Sequence, residues 1–196
     1  VVDTEDCVNA ALYLTEKGDA DRNKIVIRGK SAGGYTTLCA LIFYDVFAAG
    51  ASYYGVTDLR CLMSDSHKFE ARYLDSLIGS YSEVPQLYQE RSPLEHASRL
   101  STPVILMHGL EDTVVPTSQA ETLVAVLEKK GLPFAYLTFE EEGHGFRKSE
   151  NMKLALEAEL YFYSKVQRIK YWYDPHQRYS DHCVFFLRLQ FLYSNQ

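Results

Sequence analysis

Cysteine, basic charge and long apolar runs are all scarce in this chain, and each shortage closes off a class of function. Only four cysteines occur among 196 residues, at Cys7, Cys39, Cys61 and Cys183. Their wide spacing forms neither a C-x-x-C pair nor a dense disulfide framework, so they read as free thiols in a reducing, cytoplasmic setting. Acidic residues outnumber basic ones by 26 to 20, a formal net charge of −6. The basic footprint that nucleic-acid binding requires is missing. The most apolar stretch, Leu38 to Gly55, is broken by Asp45 and Gly50, which argues against a membrane span. No N-terminal signal pattern and no Asn-x-Ser/Thr acceptor is visible, so neither secretion nor glycosylation is indicated. G-x-G-x-x-G and H-E-x-x-H are also missing. Gly29-Lys30-Ser31 ends like a phosphate-binding loop, but the glycine required five residues before Gly29 is Lys24. No metal or organic cofactor is expected.

What remains is a length suited to one domain, with 46% apolar and 23% charged residues, the composition of a globular protein with a real core. The chain opens Val-Val and enters a helical pattern at once, from Asp3 to Lys17, which reads as a fragment of something longer. Strand and helix patterns then alternate. The spacing predicts strands at Lys24–Arg28, Ala48–Tyr54, Val104–Met107 and Phe134–Phe139. It predicts helices at Tyr35–Tyr44, Thr117–Lys130 and from Lys148 to about Val166. Between Leu59 and Leu100 the pattern weakens into short helices and loops. Apolar strands alternating with helices predict an α/β fold, a mostly parallel sheet with flanking helices. Residues 1–166 form that unit. Residues 167–196, rich in aromatic and basic side chains, follow no clean period and read as an atypical tail.

The chemistry is expected at one turn. Gly29-Lys30-Ser31-Ala32-Gly33 is a G-x-S-x-G sequence lying between a strand and a helix, the context a nucleophile elbow requires. Ser31 then sits at the C-terminal end of its strand, and the Ala32 N–H at the helix start can hold a developing oxyanion. A serine nucleophile needs a base, and the base needs an orienting acid. Asp112 follows the strand ending at Met107, and His144 follows the strand ending at Phe139, flanked by Gly143 and Gly145. Both therefore fall at the same sheet rim as Ser31, where ligands bind in open parallel sheets. Glu111 is a competing acid but reads as a solvated loop carboxylate. His108, at a strand end, reads as packed or hydrogen-bonded to the adjacent loop. His67, His96, His176 and His182 lack a strand-end position. Tyr53 and Tyr54, after the strand next to the elbow, are candidates to line a substrate pocket.

Three segments, Gly29-Lys30-Ser31-Ala32-Gly33-Gly34-Tyr35, His108-Gly109-Leu110-Glu111-Asp112-Thr113-Val114-Val115-Pro116 and Gly143-His144-Gly145-Phe146, resemble the catalytic domain of the prolyl oligopeptidase family. With Tyr54-Gly55-Val56-Thr57-Asp58-Leu59 they look most like its acylaminoacyl-peptidase and dipeptidyl-peptidase-like branch. The likeness runs from about Asp3 to Val166. It implies an α/β-hydrolase fold, represented by its C-terminal half, a serine peptidase acting on short peptides, and a triad of Ser31, Asp112 and His144. The family's N-terminal β-propeller, the first half of its sheet and the second oxyanion donor from that half have no counterpart here, and the tail does not resemble the family.

Without that half, one edge of the elbow strand is open, so either marginal stability or pairing into a homo-oligomer through this edge is expected. Three rivals remain: a carboxylesterase or lipase-like enzyme on the same fold, a non-catalytic α/β remnant, and a flavodoxin-like binding domain. The last lacks a good phosphate loop.

Overall fold

Apolar strand segments joined through helices can bury themselves only as a parallel sheet covered on both faces. The computed structural model has that form. It describes residues 2–62 and 73–168, together with the backbone of residues 185–188. His67, His176, His182, Cys183 and most of the tail lie outside the described residues. The elements are α1 (Val2–Glu16), β1 (Val26–Lys30), α2 (Ala32–Phe43), β2 (Ala49–Tyr53), the short helices α3 (Tyr73–Ile78) and α4 (Pro85–Glu90), and a 3₁₀ segment (Pro93–Arg99). They continue with β3 (Val104–Gly109), α5 (Thr117–Lys130), β4 (Phe134–Phe139), α6 (Ser149–Val166) and β5 (Phe185–Arg188). The strands lie side by side in chain order. The first four are parallel, and β5 adds to β4 in the antiparallel sense. Among the described residues, β1 therefore has a strand neighbour on one side only.

Alternation along the strands sends side chains to two distinct cores. On one face, Ile27, Val104, Leu106, Phe134 and Tyr136 meet Val8 and Ala11 of α1, Leu38 and Leu41 of α2, and Leu123 and Leu127 of α5. On the other, Ala49, Ala51, Ile105, Met107, Ala135 and Leu137 meet Ala155, Ala158 and Phe162 of α6. The three strand alanines on this face let one helix lie close to the sheet. A third cluster, Val56, Leu59, Tyr88 and Val115, fills the space beyond the strand ends. It occupies the region that the sequence pattern leaves weakest.

Apart from α2, which begins at Ala32 rather than Tyr35, and β3, which runs on to Gly109 rather than ending at Met107, two elements depart from the expected boundaries. The first strand is shifted two residues on from Lys24–Arg28, and its pairing continues to Lys30, opposite Tyr53. The apolar run Ile25-Val26-Ile27 marks only its beginning. Arg28 and Lys30 are tolerated because both lie over the Tyr53 ring, 5.3 and 5.5 Å from its centroid. The second departure is β5, a four-residue strand within the segment that shows no strand period. It follows the register of β4, with Ala135 opposite Leu187.

Phe162 of α6 is fully buried against the second sheet face. Phe162→Ala is expected to lower unfolding free energy by about 3–5 kcal/mol, read as a lower urea midpoint with an unchanged slope.

Candidate active site

The turn after β1 is held in a conformation that ordinary residues avoid. Ser31 has φ 53° and ψ −119°, a backbone state that costs a non-glycine residue of order 1–3 kcal/mol. Two backbone bonds impose it: Ser31 N–H donates to Tyr53 O at 3.0 Å, and Tyr35 N–H donates to Ser31 O at 3.0 Å. Gly29 makes the reversal possible, since a Cβ there would lie 2.1 Å from Gly33 O. Gly33, by contrast, has open space where its Cβ would be, so only the first glycine of the G-x-S-x-G spacing is required sterically. Ala32 opens α2, and its N–H belongs to the donors that a helix start leaves without intrahelical partners.

The two loops facing this turn are sewn to each other. Leu110 N–H donates to Phe139 O and Glu111 N–H to Glu142 O, both at 2.9 Å. Gly109 permits the approach: a side chain there would meet Glu142 O at 2.3 Å. Glu142 also holds the histidine loop from the other side. Its buried carboxylate accepts from Arg147 N–H at 2.7 Å and from Lys148 N–H and Asn151 Nδ2–H at 2.9 Å, tying the loop to the first turn of α6. Burial alone would raise this carboxyl group, but the hydrogen bonds from Asn151, Arg147 and Lys148 outweigh it and lower the pKa.

This framework brings Ser31, His144 and Asp112 together. His144 Nε2 lies 2.7 Å from Ser31 Oγ, and His144 Nδ1 lies 2.9 Å from Asp112 Oδ2. The side chain of Asp112 is 0% exposed and that of His144 is 21% exposed, so the imidazole is reachable from solvent and the acid is not. Asp112 Oδ1 accepts the Val114 and Val115 N–H groups, each at 2.9 Å. Burial pushes the Asp112 carboxyl up. Hydrogen bonds from His108, His144 and Val115 overcome that push and hold it well below the usual carboxylate range. Glu111, the competing acid, points to solvent.

The tyrosine pair divides. Tyr54 packs its ring against the His144 imidazole, centroids 4.8 Å apart at 62°, and against Phe146. Burial, and then the Asp112 charge, raise its phenol pKa. Tyr53 corrects the expectation of a pocket residue. It is 2% exposed and donates its hydroxyl to Glu159 of α6, which in turn pairs with Arg28 at 3.0 Å. It belongs to the core on the α6 face because it is the last residue of β2 and strand alternation points it there. Glu142 was not singled out from the sequence. It sits in the run Glu140-Glu141-Glu142, where nothing local separates a buried carboxylate from two exposed ones. Among the described residues, no group of three or more His, Cys, Asp or Glu side chains could hold a metal ion.

Comparison with known proteins agrees with this architecture. The model of the prolyl oligopeptidase family matches residues 1–169. Dipeptidyl peptidase family member 6 of Caenorhabditis elegans is 35% identical over 153 residues, covering 74% of this chain and 21% of that protein. Dipeptidyl aminopeptidase BIII of Pseudoxanthomonas mexicana is 30% identical over 155 residues, covering 76% of this chain and 22% of that protein. A solved puromycin-hydrolyzing peptidase of Mycobacterium tuberculosis superposes with a TM-score of 0.85 at 48% identity, over 87% of this chain and 26% of that one. The chain thus spans about a fifth of the length of these two curated relatives. The fold is that of the α/β-hydrolase peptidases, of which the described residues contain four parallel strands and their flanking helices.

The state of Asp112 sets a pH signature. Its folded pKa lies below the ordinary value of 3.8, so its ionised form stabilises the fold fully above about pH 4, and that contribution is lost as pH falls through the folded value. Wild type should therefore exceed Asp112→Asn in unfolding free energy at about pH 5. In urea titrations the margin should narrow progressively below pH 3.8; a margin that widens there would contradict the assignment.

Proposed function

Because the chain belongs to the prolyl oligopeptidase family, we propose that it carries the reacting groups of a serine peptidase that hydrolyses short peptides. Ser31 is the nucleophile, His144 the general base and Asp112 the orienting acid. The observation that carries this reading is the imidazole bridging hydroxyl and carboxylate at 2.7 and 2.9 Å. Asp112 holds the proton on Nδ1, which leaves the Nε2 lone pair aimed at the Ser31 hydroxyl. As Oγ attacks the substrate carbonyl, the proton passes to Nε2, and the Ala32 N–H donates to the oxygen that becomes negative. His144 returns the proton to the leaving amine, and water, activated by the same imidazole, releases the acyl group from Ser31. Protons pass among Ser31, His144, the leaving amine and water, and no step needs a metal or an organic cofactor.

Peptide and aminoacyl amides are the substrates to try first, since the relatives carry the names dipeptidyl peptidase, dipeptidyl aminopeptidase and puromycin-hydrolyzing peptidase. Among the described residues, no helix is long and apolar enough to cross a membrane. Cys7 and Cys39 carry free thiols, which supports a reducing, cytoplasmic setting.

A fluorophosphonate probe should label the folded chain at Ser31, and Ser31→Ala should abolish the label. Asp112→Asn should slow labelling and peptide-anilide turnover by about 10⁴-fold. Folded chain that takes no label would remove the reading. Turnover of short acyl esters with none of peptide anilides would make it an esterase.

A further inference from the structure

We propose that His108, buried at the end of β3, is a positioning residue for Asp112: its Nε2–H helps hold the carboxylate that orients His144. His108 Nε2 lies 2.8 Å from Val115 O and 3.4 Å from Asp112 Oδ2. A carbonyl oxygen can only accept, so Nε2 carries a proton in either charge state of the ring. Asp112 Oδ2 lies beside that bond, 3.4 Å from the same nitrogen, so the positive N–H also faces the carboxylate. Val115 closes the circuit, because its N–H donates to Asp112 Oδ1 while its C=O takes the His108 proton. Oδ2 therefore faces two imidazoles, His144 at 2.9 Å and His108 at 3.4 Å. The two differ in access: His108 is 1% exposed and His144 21%. Only the second can meet a substrate.

The consequence follows from charge sharing. A second donor on Oδ2 takes up part of the carboxylate's negative charge, so His144 feels a weaker anion than an undivided Asp112 would present. With that donor removed, Asp112 keeps its full charge for His144 and attracts the imidazolium more strongly. The other titratable groups against the pair are Tyr54 from the end of β2 and Ser31 from the end of β1. Glu111, next to Asp112 in the chain, is exposed. Among the described residues none of these is hydrogen-bonded to Oδ2, whereas His108 Nε2 stands 3.4 Å from it.

The catalytic meaning of this link rests on the hydrolase reading; its geometry does not, and the test separates the two. In the full chain with ¹⁵N-labelled histidine, NMR should place the His108 proton on Nε2. In His108→Leu the His144 Nδ1–H resonance should move downfield as its bond to Asp112 strengthens, and the acid limb of fluorophosphonate labelling should move to higher pH by about half a unit or more. In His108→Gln, whose amide can donate at the same reach, both should return toward wild type. A purely structural role would leave the resonance in place, or shift it alike in both variants, and either result overturns the proposal. Where neither variant folds, the wild type decides: a proton on Nδ1 of His108, or a crystal structure with its Nε2 out of hydrogen-bond reach of Asp112 Oδ2, overturns the proposal, and a protonated Nε2 within reach upholds it. The His144 resonance needs no turnover. A chain that takes no label but shows its shift would therefore refute the hydrolase reading and leave the His108–Asp112 link standing.

Discussion

The 2.7 Å contact between His144 and Ser31 joins residues 113 apart in the chain, and it exists because β1, β3 and β4 end at the same rim. Parallel strands impose this: every crossover through a helix returns the chain to the starting edge, so each loop after a strand opens at the other. The pairing register makes it quantitative. Lys30 is level with Tyr53, Tyr53 with Met107, and Met107 with Leu137, so the residues next beyond these are set side by side. Sheet formation and site formation are one event here. A register slip in any of the first four strands would separate the three side chains.

Electrostatics then decides which carboxylate serves. Asp112, Glu142 and Glu159 are all buried, and each would be costly without compensation. Asp112 is compensated by His108, His144 and the Val114 and Val115 N–H groups, and Glu142 by Asn151 and the Arg147 and Lys148 N–H groups, which keeps both ionised without consuming a lysine or an arginine. Glu159 instead takes Arg28 and the Tyr53 hydroxyl, a pairing that ties α6 to β1. Of the three, only Asp112 directs an oxygen to an imidazole that solvent can also reach. Glu142 works at one remove, fixing the loop in which His144 stands.

Much of this was legible in the sequence because it follows from order along the chain. The G-x-S-x-G turn lies between a strand and a helix, and the acid and the histidine each follow a later strand, so Ser31, Asp112 and His144 could be placed at one rim before any coordinates. What stayed hidden depends on contacts across the fold. The start of β1 is apolar but its end is not, and Lys30 is accepted in the strand only because a tyrosine ring from β2 lies beneath it. Glu142 is one of three consecutive glutamates, and its burial comes from α6. Tyr53 and Tyr54 look equivalent in sequence, yet one is tied to Glu159 and the other to His144. The pairing of β5 is set by the open side of β4, which no local period records.

The fate of Tyr54 shows how the rim is finished. Continued alternation would send it to the face opposite Tyr53, toward α2. Its φ of 39° breaks the alternation and turns the ring into the cluster of Tyr53 and Phe146, against the imidazole. Ser31 at φ 53° does the corresponding thing at the end of the neighbouring strand, lifting its hydroxyl to the other side of the same ring. Glu141, at φ 57°, sits just before the histidine loop. Left-handed non-glycine residues are unfavourable one by one, and a fold keeps them only where surrounding contacts over-determine the backbone. Here two of them, Ser31 and Tyr54, lie at strand ends against one imidazole, each secured by a backbone hydrogen bond to the neighbouring strand. The strain is therefore local to the place where regular strand geometry would point side chains away from each other, and the regular sheet behind it supplies the rigidity that holds them turned inward.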